Sequence, residues 1–241
     1  MTIAEKLTRA KTDYDEVYDA GKQAEYDAFW DNYQKGQYTW SYNGAFAGVK
    51  WTRNTFKPKY DMKGFESAMN MFWSSNIGGD LVALLEELGV TIDFSNAGNV
   101  ANIFGYSQFT RLGILNFTKA TTASAVFSGA SKLVTIDKIV VSSSTELTSW
   151  FVNCTVLENV IFEGEIAKNG LSFQWSTNLS KASITSVINA LSTTTSGLSV
   201  TFSKVSVNKA FETSESANDG STSTEWTTLI GTRSNWTISL I

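Results

Sequence analysis

One pattern occurs three times along the chain, over Ile103–Phe117, Val126–Val141 and Trp150–Ile166. Each copy opens with an aromatic, crosses a bend of small or polar residues and ends in an apolar alternation. Phe104, Phe127 and Phe151 lie 23 and 24 residues apart (127 − 104 and 151 − 127), and Leu112, Ile136 and Val160 lie 24 apart at each step (136 − 112 and 160 − 136). A unit of that length is one strand with one return segment, too small to bury its own apolar face. Stacked copies bury a continuous core. The spacing therefore predicts an α/β repeat solenoid with short parallel strands. The strand candidates are the β-branched runs Thr135–Asp137 and Asn159–Phe162.

Two looser copies precede these, anchored on Phe46 and Phe72, at intervals of 26 (72 − 46) and 32 (104 − 72). The longer interval holds GGDLVALLEEL, which reads as a short helix with Asp80 beside its unpaired first amides.

The flanks read differently. In residues 1–36 the positions Ile3, Leu7, Ala10, Tyr14, Val17, Gly21, Ala24 and Ala28 alternate at 4 and 3, the seam of a coiled coil. Such a helix either caps the first repeat or drives attachment and homo-oligomer formation. Residues 37–170 carry the repeats. Residues 171–241 form an α+β capping region expected to close the core and to block edge-to-edge pairing. In it Ile184, Val187, Ile188 and Leu191 share one helical face, with Ser180 or Ser183 as cap. Leu198–Phe202 and Trp236–Ile241 alternate as strands, Asn208–Glu215 reads as a short helix, and Thr213–Thr224 reads as a polar loop.

Composition removes several classes of function. The net charge is −4, and no Lys/Arg stripe can follow a phosphate backbone, so nucleic acid is a poor partner. No apolar run approaches a membrane span, and the opening MTIAEKLTRAKTDYDEV lacks the apolar segment of a Sec signal peptide. Charge concentrates in residues 1–35, with eight acids and five bases, whereas the repeats are coated with Ser, Thr and Asn.

Catalysis is not expected. There is no histidine, and Cys154, the one cysteine, reads as a buried small residue at the inner bend of a repeat. Zinc clusters, triads of the usual kinds and Gly-rich phosphate loops are missing, so neither metal nor cofactor is expected. Two carboxylates suffice for glycoside hydrolysis, but Asp93, Asp137, Glu158, Glu163 and Glu165 read as solvated edges. The candidate binding surface is instead aromatic: Trp40, Trp51, Trp73, Trp150 and Trp175 lie beside repeat anchors, with Tyr106 and Gln108 at a bend. Aromatics freed from packing can stack on sugar rings or a protein loop.

The fragments IFGYSQFTRLGILNF, VFSGASKLVTIDKIVV and FVNCTVLENVIFEG resemble BspA-type leucine-rich repeats, in which F-x-x-C-x-x-L-x-x-I recurs about every 23 residues. Phe151, Cys154, Leu157, Val160 and Phe162 match that pattern directly. Phe127, Ala130, Leu133 and Ile136 match it with Ala130 in place of the cysteine. The segment KQAEYDAFWDNY is similar to leucine-rich repeat proteins encoded beside tail genes in phages and prophages of Gram-positive gut bacteria. The resemblance implies a non-enzymatic binding or structural module of a virion or phage tail. Its expected partner is a protein or a cell-surface glycan on the host. A bacterial surface adhesin and a purely structural module are the alternatives.

Overall fold

A computed structural model describes residues 42–49, 51–54, 56–58, 61–211 and 223–241. The expected helix of residues 1–36, the residue Trp40 and most of the expected loop after Thr213 lie outside them. The described strands are β1 (Gly79–Asp80), β2 (Phe109–Asn116), β3 (Thr135–Val141), β4 (Asn159–Gly164), β5 (Ser172–Phe173), β6 (Leu198–Phe202) and β7 (Trp236–Leu240). The described helices are α1 (Leu81–Leu88), α2 (Lys181–Ala190), α3 (Lys204–Ala210) and α4 (Thr224–Gly231). The strands form two open sheets, ordered β1-β2-β3-β4 and β5-β6-β7, with every pairing parallel.

The 24-residue spacing becomes register. Leu112 faces Ile136, and Ile136 faces Val160. These three, with Leu115, Ile139 and Phe162, are buried on the inner side of the sheet. A parallel strand needs a long crossover before it can pair with the next, and here the crossover is the return segment that carries the phenylalanine.

Those phenylalanines build the centre of the core. Phe46, Phe72, Phe104, Phe127, Phe151, Phe173 and Phe202 stack in one row, each on the next, with ring centroids 4.6 to 5.8 Å apart and planes within 2° to 29° of parallel. All seven are buried. Offset stacking at this spacing suits the ring quadrupole. The row passes residue 170 without a break, although the clear sequence repeat stops there.

The return segments have a backbone rule of their own. Two residues before the phenylalanine stand Gly44, Asn70, Asn102, Ala125 and Ser149; two residues after it stand Gly48, Ser74, Tyr106, Gly129 and Asn153. All ten have positive φ, between 53° and 89°. The paired left-handed residues aim N–H groups along the stack. Gly44, Phe46 and Gly48 donate to Met69, Met71 and Trp73 of the next copy. Asn70, Phe72 and Ser74 donate to Ala101, Ile103 and Gly105 in the same way, and the pattern repeats through Gly129 donating to Val152.

At the C-terminal side α2 covers the edge of β4. Ser183 Oγ accepts from the Val160 N–H at 2.9 Å and Ser186 Oγ from the Phe162 N–H at 3.2 Å, while the same hydroxyls donate to the Glu158 and Val160 carbonyls. Ser180 caps α2, taking the Ser183 N–H. The described helix Lys204–Ala210 overlaps the one expected at Asn208–Glu215, whose residues after Phe211 lie outside the described residues. β7 is the edge strand of the second sheet.

Candidate functional site

The predicted aromatics separate into core and surface. Trp51 and Trp150 are buried, which removes them from any contact surface. Trp51 packs edge-on against Phe46 at 5.1 Å, and Trp150 sits among Phe117, Phe127 and Phe151 with its indole N–H donating to the Ala123 carbonyl. Each fills the space beside the phenylalanine row, so large apolar volume, not exposure, explains them. Trp73, Tyr106 and Trp175 are 42 %, 54 % and 45 % exposed, and Gln108 is also exposed.

Trp73 and Tyr106 form one site. Their rings meet edge to face, with centroids 6.3 Å apart and planes at 77°. They come from successive copies, just after Phe72 and Phe104, and each lies over a glycine of the following copy. A Cβ on Gly105 would stand 3.2 Å from the Trp73 ring, and one on Gly129 would stand 2.5 Å from the Tyr106 ring. The two glycines thus let the aromatics lie against the edge of the stack. Gln108 closes the flank, its side-chain amide 3.4 Å from the Tyr106 carbonyl, and the exposed amide of Asn76 donates to the Val49 carbonyl. Trp175 follows Phe173 as Tyr106 follows Phe104, but three copies further along the row. It shares the edge and touches neither ring of the pair.

Tyr106 departs from the local rule. Its φ is 55°, at a position filled elsewhere by Gly48, Ser74, Gly129 and Asn153. Glycine and asparagine take left-handed backbone readily; a bulky aromatic does so at a cost of about 1 kcal/mol or more. The fold does not require a tyrosine there, since its ring is half in water. Tyr106 is thus a strained, exposed aromatic against Trp73, with the Gln108 amide next to it.

Other groups are engaged structurally. Arg111 binds Asp137 through two nitrogens, at 2.8 and 3.0 Å, and Asp80 through a third at 3.3 Å. Asp137 first, then Asp80, holds its guanidinium above the ordinary value. The other oxygen of Asp80 caps α1 on the Ala83 N–H. Glu163 pairs with Lys138, Asp93 turns back on Ser95, and Glu158 and Glu165 are exposed. Among the described residues no cluster of Asp, Glu, Cys or His could hold a metal, and no helix is long and apolar enough to cross a membrane. Cys154 is buried, donates to the Phe127 carbonyl at 3.1 Å, and has its thiol pushed up to about 12 by burial. A thiol so held is no nucleophile at neutral pH.

A cleft of about 410 Å³ lies between α1 and β2, lined by Val82, Leu85, Ile92 and Ile114, the last 65 % exposed. The sequence patterns described above do not point to this cleft. Its signal was the isoleucine in RLGILN next to a helix that replaces a strand's continuation.

No protein-family model matches this chain, and no curated protein or solved structure is detectably similar to it.

Proposed function

We propose that the chain is a non-enzymatic binding module, a repeat solenoid of the leucine-rich type whose exposed aromatic edge contacts a host-surface glycan or protein as part of a phage tail or virion. The single observation that carries the binding reading is the Trp73–Tyr106 pair: two half-exposed rings held over glycines, one on strained backbone, with the Gln108 amide beside Tyr106. Rings with flanking amides suit sugars, which offer apolar ring faces and hydroxyls together. The tail assignment rests on the sequence resemblance alone.

The test is retention of the full chain on intact Gram-positive gut bacteria and on their released wall polysaccharide. Wild type binds, and Trp73→Ala/Tyr106→Asn loses at least about tenfold in affinity, which corresponds to roughly 1.4 kcal/mol, with an unchanged circular dichroism spectrum. Equal retention of the variant places the contact elsewhere. Absence of wild-type binding leaves the purely structural alternative.

A further inference from the structure

The two sheets end differently. The far edge of β4 is covered, because Ser183 and Ser186 of α2 supply hydroxyl acceptors to the Val160 and Phe162 N–H groups. Among the described residues the far edge of β7 has no such cover. Its pairing with β6 uses the odd residues, as the Ile241 N–H donating to the Phe202 carbonyl shows. The alternation of strand backbone then turns the N–H and C=O groups of Ile238 and Leu240, and the C=O of Trp236, away from the sheet. Ile238 and Leu240 pack against the core yet remain partly exposed, which marks the open flank.

Natural edge strands are blunted by charge, proline, bulges or extreme shortness. Residues 236–240, WTISL, contain no charge and no proline, and their register with β6 is unbroken over five pairs. An extended strand can pair with the whole of such an edge. The sequence also complements itself. In an antiparallel pairing of two copies with Ile238 on the two-fold axis, Ile238 faces Ile238, Trp236 faces Leu240 and Thr237 faces Ser239. The Ile238 residues exchange a pair of backbone hydrogen bonds, and each Leu240 N–H donates to the partner's Trp236 carbonyl.

We infer that β7 is a self-association edge, joining two copies of this chain through an antiparallel β7–β7 pair that continues the second sheet across the dimer. The strand pair is short, so the dimer is concentration-dependent. It also makes any ligand site on the chain bivalent.

The test uses sedimentation of the full chain across a wide concentration range. Thr237 and Ser239 face away from the core, so charges there leave the fold intact. Thr237→Lys/Ser239→Lys sets like charges opposite each other and weakens dimerisation by at least about tenfold. Mixing it with Thr237→Glu/Ser239→Glu restores a mixed dimer. A wild type that stays monomeric throughout overturns the inference. So does a Lys variant that associates as strongly as wild type, which would place the contact on another surface such as the seam of residues 1–36.

Discussion

Three residues after Phe72, Phe104, Phe127, Phe151 and Phe173 comes a buried small residue: Ser75, Ser107, Ala130, Cys154 and Ser176. Four of the five settle their polar atoms or have none. Ser75 Oγ takes the Ile77 N–H, Cys154 donates to Phe127, Ser176 donates to Cys154, and Ala130 carries nothing to satisfy. The Ser107 hydroxyl is buried without a partner. Ser107→Ala should therefore hold or raise stability, by about 1 kcal/mol, since an unsatisfied buried hydroxyl costs more than it returns. A loss of more than about 1 kcal/mol in denaturant unfolding would mean that the hydroxyl is bonded. The Cys154 thiol gives a pH signature. Its folded value stands near 12 against 9.0 for a free thiol, so its contribution is complete below 9.0 and is lost as the pH rises from there towards 12. Cys154→Ala should flatten stability over that window, as read by urea unfolding at successive pH values. Tyr106→Asn should stay within about 1 kcal/mol of wild type, because relief of left-handed strain offsets the loss of a half-exposed ring's packing. The anchors Phe104, Phe127 and Phe151 were legible as residues because they recur. Which tryptophans are buried was not: Trp150 and Trp175 both neighbour an anchor, and only the direction of the bend separates them.

At the scale of elements, α1 and α2 each replace what another strand would supply. Asp80 joins two tasks, capping α1 with one oxygen and taking Arg111 with the other. Asp80→Ala should cost about 1 kcal/mol, chiefly through the cap. The ion pair adds little because Arg111 is solvated. The serines of α2 matter more. Ser183→Ala strands the Val160 N–H and should cost about 1–3 kcal/mol, whereas the exposed neighbour Ala182 tolerates change. Thermal unfolding of both variants separates these. The capping serine and aspartate were readable from the helix starts. The role of Ser183 as acceptor for a strand edge was not, since it depends on where α2 lands. The register of β2, β3 and β4 was readable from the 24-residue spacing, and the left-handed pairs flanking Phe46, Phe72, Phe104, Phe127 and Phe151 are mostly Gly, Asn and Ser at fixed offsets. They escaped notice because Ala125 and Tyr106 break the pattern.

Over the whole molecule, the phenylalanine row is one continuous core from Phe46 to Phe202. The row crosses residue 170 through Phe173, whose interval of 22 to Phe151 (173 − 151) still fits the repeat, while Phe202 lies 29 further on (202 − 173) because α2 intervenes. The inserted helix hides the last rung, Phe202, from the sequence pattern. Truncating a middle rung, Phe127→Ala, should cost about 3–5 kcal/mol. It should lower the unfolding of residues on both sides of it together, as hydrogen exchange would report. A row of this kind carries its edge residues at fixed spacing, which sets Trp73 and Tyr106 edge to face while both stay exposed. The most direct measurement is hydroxyl-radical footprinting of the full chain, with and without wall polysaccharide released from Gram-positive gut bacteria. The account predicts that Trp73 and Tyr106 are oxidised in the free protein and protected by the polysaccharide, while Trp51 and Trp150 are spared in both. Oxidation of Trp150 in the free protein, or polysaccharide binding that leaves Trp73 and Tyr106 as reactive as before, would contradict it.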